Sequence, residues 1–254
     1  MWDAKTISSS WILLLTAVLA SCAMALSVIS PFDQRHTLAL LVADGTSHEL
    51  THIWQQVALE EGIKLDIVSA SQFLRARKAD QHAYAGIVVA DTTHRRASTY
   101  LTDTLREYVY SGGKLMLVFD ALTHDLNGAY AGHAARLSDV TGVDYAMYDE
   151  FGKDVIVTRP VVIATDAMIQ LAVTPGRTEM LEPIHFRGQT FDQWMTTYRY
   201  QELQYPVFQT GKIARDTDVL MVTPERQVVA TQRHVGAGRV LFVNLPLKIG
   251  RAHV

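Results

Sequence analysis

The chain has 254 residues, 48% of them hydrophobic and 19% charged, with a formal net charge of −3. That length supports one large or two small globular domains, and the slightly acidic balance without long Lys/Arg runs argues against a nucleic-acid partner. A single cysteine, Cys22, excludes a disulfide within the chain.

The segment from Trp11 to Ile29 is apolar and uncharged. As a helix it would rise roughly 28 Å, about the hydrocarbon thickness of a bilayer. Three readings compete: an uncleaved signal anchor, a lipoprotein signal ending at Leu19-Ala20-Ser21-Cys22 with Cys22 lipidated, and a signal cleaved after Ala23-Met24-Ala25. The apolar run continues past Cys22, where a lipoprotein would turn polar, which favours the anchor. The expected location is the cell envelope, anchored in the inner membrane with the domain facing the periplasm or the exterior.

Thr37 to Ala43 is a continuous apolar run and predicts a buried strand. Thr46-x-x-Glu49 has the form of a capping box opening a helix to about Glu61, with Leu50, Ile53, Trp54, Val57 and Ala58 as its buried face. Ile63 to Val68 predicts strand two, Ser71 to Arg77 a short helix, and Ala85 to Ala90 strand three. Ser98 to Ser111 predicts an amphipathic helix burying Leu101, Leu105, Tyr108 and Val109, ended by Gly112. Leu115 to Phe119 predicts strand four, and a further helix is expected over His133 to Val140, stopped by Gly142. Strands alternating with helices define a flavodoxin-like, doubly wound parallel α/β sheet.

The second half reads differently. Val155 to Thr165, Leu181 to Arg187, Val207 to Ile213, Val219 to Val222 and Gln227 to Thr231 are expected strands, the last two forming a hairpin that turns at Thr223 to Arg226. Arg239 to Leu245 is again a continuous apolar run, expected to return to the main sheet. The division that follows is a signal segment over 1–30, an α/β domain over 36–144 plus 235–247, and a β-rich insertion over 145–234. The last residues, Ile249-Gly-Arg-Ala-His-Val254, match one reading frame of a common sequencing adapter. Residues 248–254 are therefore read as an artefact, and the natural protein is expected to continue beyond Leu247.

Tyr84-Ala-Gly-Ile-Val-Val-Ala-Asp91, Leu105-Arg-Glu-Tyr-Val-Tyr-Ser-Gly-Gly-Lys-Leu-Met-Leu-Val118 and Val235-Gly-Ala-Gly-Arg-Val-Leu-Phe-Val-Asn-Leu-Pro246 together resemble the class I glutamine amidotransferase-like fold. The closer likeness is to its non-catalytic relatives, such as the trimerisation domain of some β-galactosidases. A similar module precedes the catalytic domain of some exported polysaccharide deacetylase-like proteins. Enzymes of this fold attack with a cysteine thiolate at a strained elbow after a central strand. This chain has no cysteine there and no G-x-S-x-G serine elbow. The resemblance implies a scaffold or ligand-binding module. With the apolar segment from Trp11 to Ile29, the expectation is a non-catalytic binding or assembly module of a membrane-anchored bacterial envelope protein involved in polysaccharide processing. Its expected partners are the membrane through that segment, polysaccharide and other copies of itself.

Asp44, Asp91 and Asp120 follow three strands whose carboxyl ends should share the ligand-binding edge of the sheet, and His94 and His124 lie close behind two of them. They make a candidate metal or polar-ligand cluster, or the basis of a hydrolase. The competing reading is that the aspartates cap turns and helices. The pair Arg95-Arg96 reads as a solvated loop. His48-Glu49-Leu50-Thr51-His52 spells the zinc-peptidase motif H-E-x-x-H. Both histidines lie roughly 160° around the helix from Leu50, away from the expected core face, and no third ligand follows. Trp194, Tyr198 and Tyr200, in a segment crowded with aromatics, offer faces for stacking on sugar rings. No phosphate loop or dinucleotide fingerprint is present, so no cofactor is expected.

Overall fold

The computed structural model describes residues 37–76, 78–130, 136–145, 155–158, 161–171, 176–179, 185–186, 189–190, 205–208, 210–224 and 226–245. The segment around Cys22, the aromatic residues Trp194, Tyr198 and Tyr200, and everything after residue 245 lie outside them. Among the described residues no helix is long and apolar enough to cross a membrane.

The chain runs β1 (Thr37–Val42), α1 (His48–Glu60), β2 (Lys64–Ser69), α2 (Ala70–Arg75), the single turn α3 (Lys78–Gln81), β3 (Gly86–Ala90), α4 (Thr99–Tyr110), β4 (Lys114–Val118) and the single turn α5 (Ser138–Thr141). The main sheet then takes β5 (Val161–Ala164), β6 (Gly176–Glu179), β7 (Thr217–Val222), β8 (Val228–Val235) and β9 (Gly238–Val243). Its nine strands lie in the order β2-β1-β3-β4-β9-β8-β7-β5-β6. The first five pair in parallel, and every pair beyond β9 is antiparallel.

The parallel part has the 2-1-3-4-5 strand order of flavodoxin-like folds, with its reversal between β1 and β3. Strands β1, β3 and β4 are apolar runs because they are covered on both faces, whereas the edge strand β2 carries Lys64 and Asp66 and buries none of its residues fully. All five residues of β3 are buried, as are Leu38 to Val42 of β1. Helix α4 buries Leu101, Leu105, Tyr108 and Val109, the predicted stripe, together with Thr102. The Ser98 hydroxyl caps it by accepting from Leu101 N at 3.1 Å. Gly112 follows with φ 109, and the chain turns back into β4.

Strand β9 lies beside β4, where the last apolar run was expected, and Gly238 packs closely on the end of α4 and the turn into β4. A Cβ on Gly238 would overlap the carbonyl oxygens of Val109 and Gly113.

Several expectations need correction. The sheet is mixed, not wholly parallel: the β7–β8 hairpin, read from sequence as part of the insertion, continues the main sheet from β9. Val155 to Thr165 divides into Val155–Thr158, paired with Tyr205–Phe208, and β5. Val207 to Ile213 divides likewise, its second part, Thr210–Ile213, pairing with Val143–Tyr145. In the helix expected over His133 to Val140, residues 131–135 are not described, and the helical turn is Ser138–Thr141. At α1 the N-cap is Ser47, without a side-chain cap bond. Thr46 instead donates its hydroxyl to the carbonyls of Ala43 and Thr93, at 2.8 and 3.1 Å. Leu50 is 40% exposed; the buried face of α1 is Thr51, Trp54 and Ala58.

Candidate functional site

The reversal between β1 and β3 is where an open α/β sheet leaves a crevice for ligand. Here the two loops that would flank it are tied together. The Thr93 carbonyl accepts both Ala43 N, at 3.1 Å, and the Thr46 hydroxyl. Asp44 leans the other way, towards β2: it is exposed, and its carboxylate accepts Ser71 N at 3.4 Å. Hydrogen bonds from Ser71 and Ser69 lower its pKa. His94 is buried on the loop after β3, 3% exposed, with Nδ1 lacking a hydrogen-bond partner. Burial pushes its pKa down to about 4, so it is neutral at pH 7.

One strand further along, Asp91 and Asp120 come together. Asp120 follows β4 in a strained turn, with Phe119 at φ 46 and Leu122 at φ 61, conformations uncommon for bulky residues. The turn forms an elbow whose occupant is a carboxylate. The Asp120 side chain is 1% exposed and that of Asp91 5% exposed. Arg95 joins them: Nε lies 3.0 Å from Asp120 Oδ2 and Nη2 3.9 Å from Asp91 Oδ2. The Thr123 hydroxyl is 2.5 Å from Asp120 Oδ1 and 2.9 Å from His124 Nδ1. Asp91 Oδ1 is buried without a hydrogen-bond partner.

Burial raises the pKa of both acids, because a charge loses its water. Asp91 rises to about 6, where the nearby Arg95 partly offsets the rise and Asp120 adds to it. Asp120 is raised by burial against the lowering effects of Thr123, Arg95 and His124. His124 is lowered, first by burial, despite the pull of Asp120.

The loop beyond the elbow is braced from two sides. Asp125 Oδ1 accepts Asn127 N and Ala129 N at 2.8 and 3.1 Å. Arg136 Nη1 donates to Ala97 O at 2.7 Å, and Nη2 reaches the hydroxyls of Thr99 and Thr102 at 3.3 Å.

The structure therefore brings together Asp91, Asp120 and His124, but sends Asp44 to Ser71. Among the described residues no group of three or more His, Cys, Asp or Glu side chains is arranged to hold a metal ion. His48 and His52 are exposed on the first turns of α1, their rings stacked with centroids 5.6 Å apart. Glu49 is exposed beside them. The residues that sequence reasoning passed over are Arg95, read as solvated, and Thr123. The signals were present in the spacings Asp91-x-x-x-Arg95 and Asp120-x-x-Thr123-His124.

Fold and edge chemistry define a flavodoxin-like α/β scaffold whose turn after β4 presents a buried carboxylate. The sequence matches no family model and no curated protein. Solved structures share the fold. A cold-adapted beta-galactosidase from Rahnella sp. R3 superposes at TM-score 0.52 and 9% identity over 84% of this chain and 29% of its own. A beta-galactosidase from Bacillus circulans sp. alkalophilus gives 0.51 and 11% over 82% of this chain and 28% of its own. A ThuA-like protein from Bacteroides uniformis ATCC 8492 gives 0.50 and 10%, covering 84% of this chain and 82% of its own. The chain thus spans under a third of the length of those galactosidases. At these identities the likeness establishes the fold alone.

Proposed function

We propose that the chain is a non-catalytic binding or assembly module of a membrane-anchored bacterial envelope protein that handles extracellular polysaccharide. In this reading it works beside a catalytic domain of the polysaccharide deacetylase type. The observation that carries the proposal is the state of the elbow after β4. Asp120 there is buried, salt-linked to Arg95 and bonded to Thr123, so no nucleophile is presented to a substrate. The galactosidases that share the fold support a carbohydrate setting, since in them the shared part is a minor portion of a much longer chain. Resemblance to a trimerisation domain supports self-association as the assembly role. The apolar segment from Trp11 to Ile29 supports the anchor.

Two measurements test this. Light scattering on the full chain in detergent should give an oligomer; a monomer at all concentrations removes the assembly role. Sequencing the gene beyond the codon for Leu247 should reveal a domain with a carboxylate-and-histidine metal site of the deacetylase kind. An immediate stop codon removes the fused enzyme.

A further inference from the structure

Strand β2 ends the parallel side of the sheet. It pairs with β1 and, among the described residues, with no strand on its other side. That outer side carries a row of backbone N–H and C=O groups, the template on which a further strand adds. Lys64 is exposed, and Leu65 to Ser69 are half-buried. Ile63, Leu65 and Ile67 pack against the core yet stay partly at the surface. Lys64 and Asp66 have no ion-pair partner among the described residues. A lone charge on an edge strand keeps other strands away. Two charges of opposite sign, two residues apart and so on one face, instead discriminate between registers.

Two copies can meet here about a two-fold axis normal to the sheet, their β2 strands antiparallel. The axis keeps the same face uppermost in both copies, and directly opposed residues share a face. It must therefore pass through a residue, because a register centred between two residues would oppose side chains of different faces. Centred on Lys64 or on Asp66, the pairing sets like charges against each other. Centred on Ile67 or Val68, it faces Asp66 with Val68 or Ala70. Centred on Leu65, it places Lys64 opposite Asp66 of the other copy, twice, on one face. On the other face Leu65 meets its own counterpart, and Ile63, just before the strand, meets Ile67 twice. Of the centres from Lys64 to Val68, Leu65 alone matches charge with opposite charge and apolar with apolar.

We propose that β2 is the surface through which two copies of this chain associate, antiparallel about Leu65, so that their sheets become one. This rests on the assembly reading above and gives that assembly its surface. The contact is isologous, so it closes at two copies. Backbone hydrogen bonds along the edge supply affinity, and the Lys64–Asp66 pairs fix the register.

Sedimentation equilibrium of the full chain in detergent, over a concentration series, tests it. The wild type should be a dimer. Lys64→Asp and Asp66→Lys each set like charges opposite one another twice. Each should weaken the dimer about tenfold or more, and less so as salt rises. The double variant, Lys64→Asp with Asp66→Lys, restores both pairs and should return the dissociation constant to within about threefold of the wild type. The two single variants move the net charge in opposite directions, so loss in both with recovery in the double variant separates pairing from overall charge. Near-ultraviolet circular dichroism checks the fold; if one single variant misfolds, the other and the double variant decide. Folded single variants that dimerise like the wild type, as they would if the segment from Trp11 to Ile29 held the copies together, overturn the edge contact and leave self-association standing. A double variant as weak as the single ones overturns it too. So does a wild-type trimer, which an isologous contact cannot close. A monomer at all concentrations overturns the edge contact and the assembly reading together.

Discussion

Arg95 reaches from the loop after β3 to the buried carboxylate of Asp120 after β4, with Nε 3.0 Å from Oδ2. The contact fastens two loops that the parallel sheet merely places side by side. It leaves one cation serving two buried acids, since Asp91 lies 3.9 Å from the same guanidinium. Arg95→Ala should destabilise the fold by about 2 kcal/mol at pH 8. That is less than the roughly 3–5 kcal/mol for breaking a fully buried pair, because Arg95 is half exposed. Urea unfolding measures it, and a loss no larger than that of an ordinary surface substitution would contradict the role given to Arg95.

Asp91 titrates against the fold. Its folded pKa, about 6, lies above the unfolded value near 3.8. Its contribution to stability is therefore fully present below about pH 4 and is lost as pH rises through 6. Asp91→Asn removes that dependence. The variant's stability relative to the wild type should rise between pH 4 and pH 8, by up to about 3 kcal/mol. Denaturant curves at the two pH values provide the comparison; a difference that does not change with pH would count against the burial argument.

His94 works in the opposite sense. Its folded pKa, about 4, is below the unfolded 6.5, so its contribution is present above 6.5 and is lost as pH falls through 4. Between about pH 6 and pH 4 the slopes from Asp91 and His94 oppose each other. Asp91→Asn should steepen the loss of stability on acidification over that interval, and His94→Gln should relieve it. Thermal melts across the range distinguish the two, and identical acid profiles for both variants would refute the pairing.

His48 and His52 should be dispensable. Both are exposed on α1, and among the described residues no third metal ligand joins them. His52→Ala should change stability by less than about 0.5 kcal/mol and leave the metal content of the purified chain unchanged. Zinc bound stoichiometrically by the wild type and lost in the variant would revive the peptidase reading.

Gly113 sits under the ring of Tyr108, and an added Cβ would overlap that ring. Gly113→Ala should therefore cost about 1–3 kcal/mol through displacement of a buried aromatic side chain. Near-ultraviolet circular dichroism and urea unfolding report both parts of the effect.

The parallel core was legible because its signals are local. Strands β1, β3 and β4 are apolar runs, and α4 announces itself by the spacing of Leu101, Leu105, Tyr108 and Val109 with Ser98 in front. What escaped depends on pairing. β8 and β9 form a tight hairpin across Gly236 and Ala237, but nothing local says that β7 extends the same sheet, since a hairpin looks the same in a main sheet as in an insertion. Thr46 has the right offset from Glu49 for a capping box, but the Thr93 carbonyl outbids the helix for its hydroxyl. Leu50 fits the apolar periodicity of α1 yet lies on its rim. The site shows the same limit: the strand-end aspartates could be found from sequence, whereas the distribution of Arg95 between two of them, and the turn of Asp44 towards Ser71, are properties of tertiary contact.

The most direct test of the account is proton NMR of the full chain in detergent mixed with neutral and acidic oligosaccharides, followed over hours. A scaffold whose elbow holds a tied carboxylate predicts saturation transfer to a sugar with no product accumulating. Product that appears with the wild type and is absent with a folded Asp120→Asn variant would contradict it.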